Sequence, residues 1–521
     1  MQTNRLRTSV PQKNPPKSRM NVLLSTAITL LISAGTVSLS AQSTTASKHW
    51  VGTWSCAPYK VNESKNQPTN TLTGNTLRQI VRVSIGGDTL RVKFSNLTCP
   101  SAVSIKSVTI ARSPDGTKCP VDASTITQLK FKGDSTVTIN AKSEVYSDPV
   151  AFNLTPSMRL AITIYYGTCA SSNDMTFHYG SRTNSYWTAG NKVKSADFNS
   201  PTAMERWYTI SGVDVLAPAS TYSVAVIGNS ITDGATLTGG LQNRWTDVFS
   251  EALLANPATA QVGVLNQGIG GTCVLSESNG AGIGTVRFKH DILEQAGLRW
   301  VIVFYGINDI TGGKSAADIL KGIKQMASEA HAKDPNIKVY GGTITPFKGN
   351  TNYSDAREAV RKTINDSIRT SKSFDGFIDF SKAVQDPSDA AKMKAEYVGS
   401  WNDGLHPGPS GQEAMGKCID LKMFVPPAVH TIKSTVSSRT HNTLLLVRNG
   451  VVEFKLPHAA FVSLKAYSLL GKEIAELAGR NFSAGEHTLE LRDRNLTNGP
   501  YIYSIKADGF TATSEVVFPS K

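Results

Sequence analysis

The chain has 521 residues, of which 40% are apolar and 18% charged, with a formal net charge of +14. That balance excludes a disordered chain, and the length excludes one ordinary core, so roughly two to four domains are expected. The basic excess is spread along the sequence rather than blocked, which gives no ground for nucleic-acid binding and is compatible with an acidic glycan or cell surface.

Residues 1–20 carry Arg5, Arg7, Lys13, Lys17 and Arg19 and no acidic residue. Val22–Leu39 follows as an apolar run broken by small residues. This reads as a secretory signal over 1–40, cleaved after Ser40. The alternative is an uncleaved membrane anchor, disfavoured by the Ser, Thr and Gly content and by the polar stretch Gln42–Lys48. Losing the five basic residues would take the charge from +14 to +9.

Residues 48–220 contain short strand-like runs at Leu77–Val83, Thr89–Phe94, Ser104–Ala111, Ser135–Ile139 and Met158–Tyr166, separated by Gly, Asn, Asp and Pro. No long helical period occurs, so a jelly-roll-like β-sandwich is expected there.

Residues 221–425 change character. Strand patterns at Val224–Gly228, Val262–Asn266, Trp300–Tyr305, Ile337–Gly342 and Phe374–Asp379 alternate with helical ones at Leu241–Leu254, Ala316–Ala332 and Ser354–Ser371. Continuous apolar strands between helices indicate a parallel sheet with both faces covered, a three-layer α/β/α, flavodoxin-like arrangement. A further helix is expected after Pro409, with Ser410 as N-cap and Glu413 closing a capping box.

Pro426–Thr443 reads as a linker, placed at 426–445. Over 446–521, Val451–Pro457, Val462–Tyr467, Thr488–Leu491 and Tyr501–Ala507 read as strands of a small Ig-like β-sandwich. Six cysteines suit an oxidising compartment. Cys56, Cys99, Cys119 and Cys169 precede residue 221, while Cys273 and Cys418 follow it. Pairing within each group is the simplest expectation, although sequence leaves connectivity open. No Cys-x-x-Cys or clustered histidines call for zinc, and no cofactor or metal is expected.

The chemistry-bearing residues lie at strand ends, where open parallel sheets place ligands. Ser230 stands in Gly228-Asn229-Ser230-Ile231-Thr232 after the first strand. Asn266-Gln267-Gly268-Ile269-Gly270-Gly271 follows the second, and Gly306-Ile307-Asn308-Asp309 the third. Asp403-Gly404-Leu405-His406-Pro407 lies in a late loop. Together they supply a nucleophile, a base and a carboxylate to orient the base. Thr232 sits where a Gly-x-Ser-x-Gly elbow needs its second Gly, which argues against the α/β-hydrolase fold. Gly313-Lys314-Ser315 is no phosphate loop, because Asn308 stands where that pattern needs Gly. Asp309 is expected to tether a loop, and Cys273 to be structural.

These four blocks, in this order, resemble the SGNH (GDSL-type) hydrolase family over roughly 221–425. The resemblance implies Ser230, Asp403 and His406 as catalytic residues. It implies an oxyanion hole formed by the backbone N–H groups of Ser230 and Gly271 and the side-chain amide of Asn308. Asn229 departs from the family's usual Asp before the serine; it is nearly isosteric but uncharged.

His49-Trp50-Val51-Gly52-Thr53-Trp54 with Leu77-Arg78-Gln79 resembles the β-rich leader of a secreted subgroup associated with polysaccharide deacetylation. Trp50, Trp54, Trp187 and Trp207 are candidates for a sugar-stacking surface, with core packing as the commoner role of such residues. Leu469-Leu470-Gly471-Lys472-Glu473, Ala484-Gly485-Glu486-His487 and Asn498-Gly499-Pro500-Tyr501-Ile502-Tyr503 resemble the C-terminal sorting domain of type IX secretion. That resemblance implies export by the type IX machinery of a Gram-negative bacterium, to the medium or the outer-membrane surface. An Ig-like spacer is the alternative.

The combined expectation is a secreted acetylxylan-esterase-like serine esterase acting on acetylated plant polysaccharide, with no nucleic-acid partner. Two alternatives use the same residues: a lipase or lysophospholipase, and a non-catalytic surface protein that binds glycans.

Overall fold

The computed structural model describes residues 48–169, 174–278 and 280–427. Toward the C-terminus it describes 445–448, 451–467, 473–490, 500–507 and 510–517. The expected signal segment, most of the expected linker, and the Leu469–Lys472 and Asn498–Gly499 motif segments lie outside the described residues.

Five parallel strands form the central sheet, in the spatial order Val262–Gly268, Tyr222–Gly228, Leu298–Phe304, Lys338–Gly342, Gly376–Ile378. In sequence terms the order is second, first, third, fourth, fifth, so successive strands are added in opposite directions on either side of Tyr222–Gly228. Residues 224–228 are all buried, as a strand covered on both faces must be. Trp245–Ala255, Phe380–Val384 and Pro409–Lys417 pack as one helical group. Gly284–Phe288, Ala316–Lys333 and Asp355–Thr370 form another.

Two helix starts differ from expectation. The helix expected from Leu241 begins at Trp245, because the Arg244 N–H bonds back to Asp247 Oδ2 at 3.0 Å and fixes the boundary. The expected Ser410 capping box is absent. Gly408 is the N-cap, Pro409 occupies the first turn, and Ser410 Oγ donates instead to the Glu396 carbonyl at 2.8 Å.

Residues 48–218 build two main antiparallel sheets. One runs Lys48–Ser55, Ile210–Pro218, Gly87–Ser95, Glu144–Tyr146. The other runs Thr202–Met204, Ser185–Ala189, Asn75–Arg82, Arg159–Tyr166, Val103–Arg112, Thr127–Gln128. Side chains from both, among them Val51, Val92, Val213, Leu77, Ile110 and Ile162, share one apolar core. A small third sheet joins Trp207–Tyr208, Thr176–His178 and Tyr59–Lys60.

This β-rich region packs on the second strand of the parallel sheet. The Val264 N–H donates to Ser84 Oγ at 3.0 Å, and Gln267 Nε2 to Ser55 Oγ at 2.5 Å. The Gly52 N–H reaches the Ala296 carbonyl at 2.9 Å. His290 bridges Glu144 at 2.9 Å and Asp291 at 2.8 Å.

Trp54 and Trp207 are buried and meet edge to face at 5.0 Å, so they are core residues rather than a sugar surface. Trp50 lies under the Arg91 guanidinium, and Trp187 donates its ring N–H to the Thr71 carbonyl. The six cysteines are free thiols. The expected pairings are not formed among them. Cys56 and Cys418 donate to the carbonyls of Ile210 and Met415.

Toward the C-terminus two antiparallel sheets share a small core containing Val452, Phe454, Val462, Leu464 and Tyr503. Strands Glu473–Phe482 and Phe510–Val517 were not anticipated from sequence.

Candidate functional site

Ser230 opens a four-residue helix just after strand Tyr222–Gly228, at the point where the order of strand addition reverses. The loops of the two neighbouring strands diverge there and leave a crevice, so their residues flank Ser230. Asn229 caps the turn, its side-chain oxygen accepting the Ile231 N–H at 3.2 Å. A carboxylate is not needed for that bond.

His406 Nε2 lies 2.8 Å from Ser230 Oγ, and its Nδ1 lies 2.6 Å from Asp403 Oδ2. The other Asp403 oxygen accepts the backbone N–H groups of Leu405 at 3.0 Å and His406 at 2.9 Å. Burial alone would raise the Asp403 carboxyl. The His406 amide, its ring and the Leu405 amide outweigh this and hold it below the usual carboxylate range. The turn needs Gly404: its φ is +68°, and a side chain there would meet the Gly349 backbone. Asn350 Nδ2 donates to the Asp403 carbonyl at 3.0 Å and secures the turn from another loop.

On the opposite side of Ser230, Gly268–Thr272 forms a tight loop. The Ile269 N–H donates to the Gly228 carbonyl at 3.2 Å, and the Gly270 N–H to Asp233 Oδ2 at 3.0 Å. Gly271, at φ +77°, turns the chain there, and its N–H has no acceptor among the described residues. Asn308 Nδ2 donates one hydrogen to the Thr272 carbonyl at 2.9 Å, which fixes the amide and leaves its second hydrogen for a ligand.

Asp309 is a tether: its carboxylate accepts the N–H groups of Val274 at 2.8 Å and Leu275 at 3.0 Å. Burial pushes that carboxyl up, against the pull of those two amides. Cys273 is likewise no nucleophile, because burial raises its thiol to about 11.

Ser230, His406 and Asp403 thus form one hydrogen-bonded chain, while Gly271 and Asn308 lie in the loops that follow the two neighbouring strands; other residues nearby were not anticipated. Arg287 is buried and donates to the carbonyls of Gln267 at 2.9 Å and Gly228 at 3.0 Å, clamping two strand ends together. Asp291 balances its charge at 2.7 Å. Trp401 is 59% exposed and stands edge-on to the His406 ring at 4.9 Å. Asp233 and His178 meet at 3.1 Å behind the Gly268–Thr272 loop. Asp233 was open to discovery, being one helical turn from Ser230. His178 carried no signal, because it lies in the β-rich region, 55 residues earlier.

Residues 226–414 match the model of the GDSL-like lipase/acylhydrolase family. No curated protein matches the chain. Among solved structures it is similar to a carbohydrate acetylesterase family member from Sinorhizobium meliloti. The two are 17% identical over 39% of this chain and 99% of that one, with a TM-score of 0.30. It is also similar to a member of the lipolytic protein G-D-S-L family from Veillonella parvula DSM 2008. That match is 16% identical over 38% of this chain and 96% of the other, with a TM-score of 0.29. Residues 226–414 thus form a domain of the GDSL-like lipase/acylhydrolase family.

Proposed function

We propose that the chain is a secreted serine esterase that removes O-acetyl groups from plant polysaccharide. The observation that carries the esterase reading is the continuous chain from Ser230 Oγ through both nitrogens of His406 to Asp403.

In this reading Ser230 Oγ attacks the acetyl carbonyl carbon while His406 Nε2 takes the hydroxyl proton. Asp403 stabilises the imidazolium and keeps Nδ1 as its donor. The carbonyl oxygen becomes an oxyanion held by the Ser230 and Gly271 N–H groups and the free hydrogen of Asn308 Nδ2. Collapse breaks the bond to the sugar oxygen, which receives the proton from His406. Water then attacks acetyl-Ser230 and gives a proton to His406; the acyl bond to Oγ breaks, His406 returns the proton to Oγ, and acetic acid leaves and ionises to acetate.

The sugar reading draws support from Trp401. The leaving oxygen must approach His406 Nε2 to be protonated, so the alcohol half of the ester lies on the His406 side. An exposed indole on that side suits a sugar ring, whose C–H face packs on aromatic surface. The secretory reading rests on the basic and apolar pattern of residues 1–40, and export by type IX machinery on the C-terminal motif resemblance.

The test is acetate release from acetylated xylan by the wild type and by Ser230→Ala, beside a medium-chain acyl ester. Release that vanishes in the variant, with little turnover of the longer ester, is expected. Turnover of the longer ester alone would replace this reading with a lipase.

A further inference from the structure

The β-rich region reaches into the back of the crevice. His178 ends its Thr176–His178 strand and is buried against Trp207 and Tyr59. Its Nδ1 lies 2.9 Å from the Ala57 carbonyl, which only accepts, so Nδ1 carries a hydrogen. Its Nε2 faces Asp233 Oδ1 at 3.1 Å. The other Asp233 oxygen takes the Gly270 N–H at 3.0 Å.

One proton must therefore lie between ring and carboxylate. Burial alone would raise the Asp233 carboxyl, but His178, then Arg182 and Arg244, pull it below the usual range. Cys56 and Tyr59 are the other titratable groups nearby, and burial pushes both upward, so they stay neutral.

The contact is closely built. Arg244 Nε donates to the Asp233 carbonyl at 2.9 Å, and its terminal nitrogen donates to Gly180 and Ser181 carbonyls, each at 2.9 Å. Any side chain at Gly180 would overlap the Asp233 carboxylate.

We propose that His178 is a positioning residue for acyl transfer: held by the Ala57 carbonyl, its ring aims Asp233, and Asp233 fixes the Gly270–Gly271 turn that presents the oxyanion donor. The inference rests on the esterase reading above. It gives the β-rich region a part in the reaction through Asp233 rather than through the reacting atoms. The mechanism is preorganisation: a loop free to shift would leave the Gly271 N–H off the line of the developing oxyanion.

The test measures kcat, KM and the thermal unfolding midpoint for the full chain carrying His178→Gln, the isosteric Asp233→Asn, and both, on one acetyl ester. Each single variant is expected to lose about tenfold or more in kcat with KM changed less than about threefold. The double variant should lose no more than the worse single one, because both act through one contact. Variants that unfold earlier yet keep kcat within about twofold of wild type would overturn the proposal, since lost packing alone does that.

If both variants fail to fold, Gly180→Ala decides, because its methyl would meet the Asp233 carboxylate and displace it from the Gly270 amide. A fall of about tenfold in kcat with KM little changed is expected, and a kcat within about twofold of wild type overturns the proposal. A wild type silent on every ester, with Ser230→Ala indistinguishable from it, would instead remove the esterase reading, and this inference with it.

Discussion

Asp403 orients two parts of His406 at once: one carboxylate oxygen takes the ring Nδ1 at 2.6 Å and the other takes the same residue's backbone N–H at 2.9 Å. The carboxylate thus fixes the tautomer and the position of the ring's attachment point together. Asp403→Asn keeps the shape but offers a hydrogen where an acceptor is needed. We expect kcat to fall by about 10³–10⁴-fold with little change in the unfolding midpoint. A loss below tenfold would mean that another group orients the ring.

Asn308 tests the other side of the crevice. Its amide is locked by the Thr272 carbonyl, so its remaining hydrogen has a fixed direction. Asn308→Ala is expected to cost about 2.7–4 kcal/mol in barrier, read as a fall in kcat rather than a rise in KM. A pure KM effect would assign Asn308 to substrate binding.

Trp401 is the handle on substrate class. Trp401→Ala should lower the ratio of kcat/KM for an acetylated xylo-oligosaccharide over ethyl acetate by about five- to tenfold, from roughly 1 kcal/mol of ring contact. Trp401→Phe should restore most of it. An unchanged ratio in Trp401→Ala would leave the indole without a sugar.

The interface between the β-rich region and the parallel sheet should titrate. Burial opposes the charge on His290, but its bonds to Asp291 and Glu144 raise the ring from 6.5 to about 10. Burial likewise opposes the Glu144 charge, yet bonds from His290 and the nearby Lys93 lower it from 4.5 to about 2. A raised histidine contributes fully below 6.5, and the contribution is lost as pH rises through about 10. A depressed carboxylate contributes fully above 4.5, and the contribution is lost as pH falls through about 2. Both contributions are therefore complete between 4.5 and 6.5. His290→Asn should destabilise by about 3 kcal/mol in that window. Urea unfolding above pH 10 should show a much smaller deficit, and an equal deficit at both pH values would refute the pairing.

The residues legible in sequence were those whose roles are local. A strand end followed by Ser230, and an Asp403–His406 pair three residues apart, announce themselves by spacing. The five parallel strands were readable because burial on both faces leaves continuous apolar runs. What escaped depends on distant chain. His178 meets Asp233 only because a small sheet folds over the serine turn, and Arg287 gains meaning only when two strand ends lie beside it. The tryptophans could not be sorted for the same reason, since an indole's exposure is decided by what packs on it: Trp54 and Trp207 cover each other, in the commoner core role, while Trp401 stays bare. The Ser410 cap failed because Pro409 had already fixed the first turn.

The parallel sheet has an outer margin at Val262–Gly268, and the β-rich region closes it, down to a serine hydroxyl on the Val264 amide. A fragment trimmed to the family-matching segment would carry that margin bare, with unpaired main-chain groups that invite pairing with another chain. The smallest piece suited to transplantation or crystallisation on its own therefore begins near Lys48, and the β-rich region travels with the catalytic half as a built-in splint.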